Sequence, residues 1–233
     1  MKFTTTLLFS FILLFASCDQ TAQQINTQKS IYRSAMDNGD LLTAINAVYY
    51  LNEYEPENAW KDTLIGLYFG RGAYVQTVLL GEKLMEGREK DTTLMEYMAF
   101  SKEALGMHEE SLKAYEKLYD QTKKLNYLYQ IASLQFNLRR YNECVSSLNK
   151  ITQDPEAEET KVNIRYGRGE TQEVPVMAAV FNINGVLAMQ QQDFKSAEAS
   201  FQKALEIFPD FALAKGNIQA MAQQQEQSAL NGE

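Results

Sequence analysis

The residues able to do chemistry in this 233-residue chain are few: one histidine and two cysteines. His108 opens the run His108-Glu109-Glu110-Ser111-Leu112, which begins like the His-Glu-x-x-His zinc pattern but has leucine where the second imidazole is needed. Zinc catalysis needs several nitrogen, sulfur or carboxylate ligands, so a single histidine in a repeat turn points to a solvated side chain rather than a metal site. Neither Gly70-Arg71-Gly72 nor Gly167-Arg168-Gly169 extends to a dinucleotide or phosphate loop. Serine and cysteine nucleophiles lack a credible base, because activation requires a partner imidazole or an equivalent group. Glu156, Glu158 and Glu159 are dense but lie in a charge run, the composition of a solvated face. No cofactor, metal or catalysis is expected. A net charge of −8, from 22 basic and 30 acidic residues, also argues against nucleic acid, whose binding rests on cations neutralising phosphates.

The chain begins MKFTTTLLFSFILLFASCDQ. Lys2 followed by the apolar run Leu7 to Phe15 has the form of a targeting segment, too short to span a bilayer comfortably. Its end, Phe15-Ala16-Ser17-Cys18, resembles a bacterial lipobox, although Phe15 stands where leucine is usual. That resemblance implies a lipoprotein signal peptide over 1–17, with Cys18 palmitoylated and lipid-anchored in the cell envelope, in an outer-membrane position on a periplasmic or surface face. The polar stretch 18–27 then reads as a tether. With Cys18 carrying lipid, Cys144 has no partner for a disulfide and is expected as a small buried residue.

The elements that must carry any site are helices of a repeated kind. In VFNINGVLAMQQQDFKSAEASFQKALEIFPDF, Gly185 and Ala188 fall in one helix, Ala197, Phe201 and Ala204 in a second, and Pro209 ends it. Taking Ala197 as the marker, small residues recur at Ala44, Thr77, Ser111 and Cys144, with intervals of 33, 34, 33 and 53. Apolar residues follow at matching offsets, for example Val48, Tyr115, Leu148 and Phe201. Glycine or alanine at a helix crossing lets two backbones approach, and a bulky partner fills the space beside them. The long last interval contains KVNIRYGRGETQEVP, whose alternating Val162, Ile164 and Tyr166 and glycine-bearing turn predict a β-hairpin. A lone hairpin is marginal in water, so Ile164 and Tyr166 are expected to cover the junction of repeats four and five.

This pattern resembles the tetratricopeptide repeat, a helix–turn–helix unit of about 34 residues. The whole mature chain is similar to small tetratricopeptide repeat lipoproteins of Bacteroidetes. The expected fold is all-α: a right-handed superhelix, or α-solenoid, of about five repeats with one hairpin insert and a C-terminal capping helix. The domain spans 28–229, with repeats near 25–58, 58–91, 92–125, 125–158 and 178–211, the insert at 159–176 and the cap helix at 211–229. Tyr32 and Ile65 make the first two repeats weak, since small residues are usual there. The cap is apolar at Phe211, Ala214, Ile218 and Met221 and otherwise polar, as terminal repeats require.

The resemblance also implies a concave groove lined by the first helices. Offsets from the markers place Arg33, Phe69, Phe100, Tyr129, Phe136 and Asn182 there as partner-binding residues. An exposed aromatic row would suit an extended peptide or a helix, because aromatic anchors dominate interface energetics. A register error of one or two residues would instead put those rings in the core. Arg165 and Arg168 on the hairpin are candidates for docking an acidic patch. Asp62-Thr63-Leu64 and Asp91-Thr92-Thr93 resemble acceptors for O-glycosylation in exported Bacteroidetes proteins, with Thr92 better placed than Thr63. The expected role is a non-catalytic envelope scaffold binding a protein or peptide. The alternatives are an accessory protein that binds a small molecule or glycan in nutrient uptake, or an enzyme with an unrecognised carboxylate site.

Overall fold

All five marker residues are sealed from solvent: Ala44, Thr77, Ser111, Cys144 and Ala197 are each 0% exposed. In the computed structural model, residues 4–56, 59–167 and 169–231 are described, with side chains between residues 20 and 227. The chain divides into two compact units, Met1–Leu105 and Gly106–Glu233. The first holds α1 (Thr4–Asp37), α2 (Leu41–Tyr54), α3 (Trp60–Gly70), α4 (Tyr74–Leu84) and α5 (Thr92–Ala104). The second holds α6 (His108–Thr122), α7 (Leu125–Asn137), α8 (Tyr141–Thr152), a short 3-10 turn over Pro155–Glu158, β1 (Lys161–Tyr166), β2 (Glu170–Pro175), α9 (Val176–Gln190), α10 (Phe194–Ile207) and α11 (Ala212–Asn231). The fold is all-α apart from the two-stranded hairpin, in five helix–turn–helix repeats and a closing helix.

The turn inside each repeat follows from one backbone conformation. Five residues before each marker the chain adopts positive φ: Gly39, Gly72 and Gly106 at 68°, 76° and 76°, Arg139 and Gln192 at 60° and 59°. Such a residue ends a helix by letting the next N–H reach back to an orphan carbonyl. Asp40 N–H donates to Ala35 O at 2.8 Å, Ala73 to Tyr68 at 2.8 Å, Arg140 to Gln135 at 2.8 Å and Asp193 to Ala188 at 3.0 Å. Glycine adopts that conformation without a side-chain clash, whereas Arg139 and Gln192 hold it against a steric cost. The following helix then starts on a cap. The Asp40 and Asp193 carboxylates accept the backbone N–H of Thr43 and Ser196, each at 3.1 Å.

Packing within a repeat depends on paired volumes at the helix crossing. Gly185 on α9 faces Phe201 on α10 so closely that an added Cβ would lie 2.4 Å from the ring. The second repeat reverses the assignment. Ile65 on α3 is 2% exposed, and glycine stands opposite it on α4: a Cβ on Gly81 would lie 3.2 Å from Ile65 Cδ1 and 2.1 Å from Met98 Sδ. Both pairs are sixteen residues apart. Bulky Ile65 is therefore a compensated form of the repeat rather than a weak one. Tyr32 in the first repeat is half-buried and meets Trp60 edge-on at 5.8 Å.

The polar stretch expected as a tether is helical in the structure, continuous with α1. Its described part finds partners on α2: Tyr50 Oη donates to Gln24 Oε1 at 2.7 Å, and further along Lys29 Nζ meets Glu55 Oε1 at 2.7 Å. At the other end, α11 buries the residues expected to face inward. Phe211 and Ala214 are 0% exposed and Met221 is 4% exposed, and Met221 clusters with Ala197 and Phe201.

Gly185→Ala should destabilise the second unit by roughly 1–3 kcal/mol, the cost of overpacking, despite alanine's better helix propensity. Adding Phe201→Leu should recover part of that loss in chemical denaturation, because it removes the ring that the new methyl strikes. A separate acid titration followed by circular dichroism tests the caps. Hydrogen bonds from Thr43 and Ser196, and from Leu94 to Asp91, hold these carboxyls below their usual value of 3.8. Their contribution is fully present above that value and is lost as pH falls through the lower folded value. Asp40→Asn plus Asp193→Asn should therefore flatten the acid limb of the stability curve.

Candidate functional site

On the first unit, helices α3 and α5 bring their outward positions together. Phe69 and Tyr97 stack at 4.4 Å with an interplanar angle of 27°. Phe100 meets Phe69 edge-on at 5.3 Å, and Tyr74, at the start of α4, lies 5.7 Å from Phe100 and 6.5 Å from Phe69. All four rings are half-buried. The Tyr97 hydroxyl passes over Gly66, 4.0 Å from where a Cβ would be, an ordinary contact distance. The cluster is thus a self-packed aromatic patch with part of each ring open to solvent. Phe69 and Phe100 were legible from repeat offsets; Tyr74 and Tyr97 were missed. The signal for Tyr74 was its place three residues before the marker Thr77, where Tyr141 and Phe194 stand in later repeats.

Charged groups flank the patch. Glu96 and Glu103 lie one turn either side of Phe100 on the same face of α5; Glu96 is exposed and Glu103 half-buried. Arg88 links the two Asp-Thr runs, its Nη1 2.6 Å from Asp62 Oδ1 and its Nη2 2.6 Å from Asp91 Oδ2. Thr63 and Thr92, the candidate acceptors, are half-buried, one inside α3 with its hydroxyl donating to Ala59 O at 3.3 Å, the other the first residue of α5. Arg33 is exposed on α1.

The second unit departs from expectation at two groove positions. Tyr129 is 6% exposed and Asn182 is 3% exposed, so neither presents an open surface. Asn182 Oδ1 accepts from Asn217 Nδ2 at 2.8 Å, which ties α9 to α11. The final helix occupies space that a groove residue in the last repeat would otherwise face. Phe136 is half-buried, its ring 5.7 Å from Tyr141. In this position it repeats the Phe69–Tyr74 pairing.

The hairpin packs inward. Its strands pair antiparallel with Ile164 opposite Gln172 and Val162 opposite Val174. β1 lies against α7 and α9, and β2 against α9. Val162, Ile164 and Val174 are 3%, 6% and 0% exposed, which gives the two strands the burial they lack alone. Gln172 adds a polar clamp that sequence reasoning missed. Its Nε2 donates to Asp210 O at 2.7 Å and its Oε1 accepts Ala212 N–H at 3.1 Å, satisfying an orphan donor at the start of α11. Arg165 is exposed on the outer side, while Arg168 lies outside the described residues, as does the side chain of Cys18.

Groups considered for chemistry are not assembled. Cys144 is sealed, and burial pushes its thiol up to about 11, against thiolate formation. His108 begins α6 with its Nδ1 buried and unpartnered, so it is not the solvated loop residue expected. Among the described residues no three metal-type ligands converge, and no helix is long and apolar enough to cross a membrane.

Paired helices joined by tight turns give the chain the tetratricopeptide repeat fold. The tetratricopeptide repeat family model matches residues 182–211, the stretch from α9 through α10. A tetratricopeptide repeat protein from Parabacteroides merdae ATCC 43184 superposes with a TM-score of 0.68 at 17% identity, over 89% of this chain and 75% of that one. YrrB, a tetratricopeptide repeat protein with an unusual peptide-binding site, gives 0.60 at 14% identity over 84% and 96%. MamA from Desulfovibrio magneticus RS-1 gives 0.61 at 12% identity over 81% and 97%. No curated protein matches the chain in sequence. At these identities the likeness is one of fold.

Gln172→Ala should leave helix content unchanged but speed hydrogen exchange at the Ala212 amide. It should lower unfolding stability by about 1 kcal/mol, the net value of such hydrogen bonds.

Proposed function

We propose that the chain is a non-catalytic scaffold, held at the cell envelope by lipid on Cys18, which captures a segment of a protein partner on the first-helix surface of its repeats. The observation that carries this is the half-open patch of Phe69, Tyr74, Tyr97 and Phe100. Four rings kept partly in water are a large apolar area with little conformational entropy left to lose, which favours binding. Three of its rings lie on the first helices α3 and α5, where the tetratricopeptide resemblance places a ligand surface, and Tyr74 joins them from the start of α4. YrrB, a tetratricopeptide repeat protein with an unusual peptide-binding site, supports the proposal that a protein of this fold takes a peptide, by analogy. Within the second unit, the burial of Tyr129 and Asn182 shifts the weight toward the first.

Anchoring is supported by the lipobox-like Phe15-Ala16-Ser17-Cys18 and by the apolar run before it. An outer-membrane position is part of the proposal. The hairpin is assigned to internal packing along its apolar face; Arg165 on its outer side is left as a secondary docking contact.

Cross-linked capture from native envelopes tests the scaffold. The intact chain should enrich one defined protein, and Phe69→Ala plus Phe100→Ala should abolish that enrichment while Arg165→Ala retains it. Failure to enrich any protein reproducibly would reject the scaffold. Labelling cells with an alkyne palmitate analogue tests the anchor. The native chain should label and partition with membranes, and Cys18→Ala should do neither.

A further inference from the structure

The first helix pair ends on two aromatic rings close to Cys18. Tyr50 and Tyr54 stack at 4.4 Å with an interplanar angle of 23°. Tyr54, the last residue of α2, is 50% exposed. Tyr50 is half-buried, and its hydroxyl donates to Gln24 Oε1 at 2.7 Å, which fixes the pair against α1.

The level of these rings follows from helix geometry. Helices α1 and α2 run antiparallel, since Asp40 meets Ala35 at the turn and Tyr50 meets Gln24 farther along. The backbone of α1 is continuous through Cys18. Gln24 therefore lies roughly 9 Å along the axis from Cys18, at the helical rise of 1.5 Å per residue. Tyr54 is one turn closer, which brings its ring level with the backbone of Cys18 to within roughly 4 Å. Leu42, exposed at the opposite end of α2, is about 18 Å from Tyr54 along the same axis.

Tyrosine has an apolar ring and a polar tip, which is why it collects where a membrane meets water. The adjoining part of α1 suits that place. From residue 20 to 28 it holds only glutamine, threonine, alanine, isoleucine and asparagine, with no ionisable side chain. Such groups approach a headgroup layer without the cost of stripping water from a charge. Glu55 is paired with Lys29 at 2.7 Å. Glu53, exposed in the last turn of α2, would be repelled by an anionic surface. The chemistry fits zwitterionic headgroups.

We infer that the Tyr50–Tyr54 end of the first repeat rests in the zwitterionic headgroup layer of the membrane that anchors the chain. This rests on the proposal that Cys18 carries lipid, and it names a second contact with the same membrane. The first helix pair then stands end-on, with its Leu42 end held away from the lipid.

The test reconstitutes the purified lipid-bearing chain into phosphatidylcholine vesicles whose acyl chains carry bromine near the headgroup, a contact quencher of indole. Flotation reports the anchor, and quenching reports the contact. Trp60, the one native tryptophan, is half-buried and donates to Glu55 Oε2 at 3.1 Å, and the parent chain gives its emission as reference. The emission added by Tyr54→Trp should be lost in brominated vesicles, while that added by Leu42→Trp should persist. Exchanging part of the lipid for anionic phosphatidylglycerol should weaken the quenching at low salt. Circular dichroism checks that both variants keep their helix content. A chain that floats with the Tyr54→Trp emission unquenched would reject the contact and leave the anchor standing. Equal quenching of the two indoles would mean that no end is preferred, and would overturn the inference. So would stronger quenching by the anionic vesicles, or a shift of the Tyr54→Trp emission only when envelope proteins are restored, which would mark a protein as the occupant. A chain that does not float would reject the anchor and this contact with it.

Discussion

The close crossing of paired helices, α3 with α4 in the first unit and α9 with α10 in the second, is the constraint on which each unit depends. A crossing that tight has room for one large side chain and requires a small one opposite. The protein meets the requirement in two ways, with Gly185 under Phe201 in the last repeat and Ile65 over Gly81 in the second. Total volume is conserved while the bulky residue moves from one helix to the other. Core packing tolerates that exchange, because what it penalises is excess or missing volume at a site. The sealed small residues at the five markers are the other face of the same rule, since each allows the helices to approach.

Once the crossings are set, the inner face of every repeat is occupied and the outward positions of the first helices are left to chemistry. In the first unit they hold Phe69, Tyr97 and Phe100, and Tyr74 leans on them from the start of α4. In the second they are largely used up: Asn182 is bonded to Asn217, Tyr129 is buried, and the hairpin rests on α7 and α9. The hairpin has no independent stability to offer and draws it from Val162, Ile164 and Val174. Gln172 then joins the insert to the first backbone groups of α11. Insert and cap are parts of one device that closes the end of the helical array, where unpaired helix termini and apolar surface would otherwise meet water.

Five markers, with three of their four intervals at 33 or 34 residues, were legible because each is read locally, from a small residue followed by apolar residues one and two turns later. The positive-φ turns were equally local at Gly39, Gly72 and Gly106, but not at Arg139 and Gln192, where the repeat imposes a conformation that the residue type does not advertise. The tether became helix for a comparable reason. DQTAQQINT has no apolar period of its own, and its polar side chains find partners only when α2 lies alongside.

By itself, the sequence determined the helical repeats, the place of the hairpin, and the offsets that single out Phe69, Phe100 and Phe136 as candidates. Those follow from helical periodicity, which is a property of neighbours along the chain. Only the tertiary structure decided which outward positions stay open. Phe100 packs against Phe69 and Tyr74 and keeps part of its ring open. Asn182, placed on the same expected groove by its own offset, is covered by a helix more than thirty residues further along. Exposure depends on such non-local contacts, and no period in the sequence encodes them.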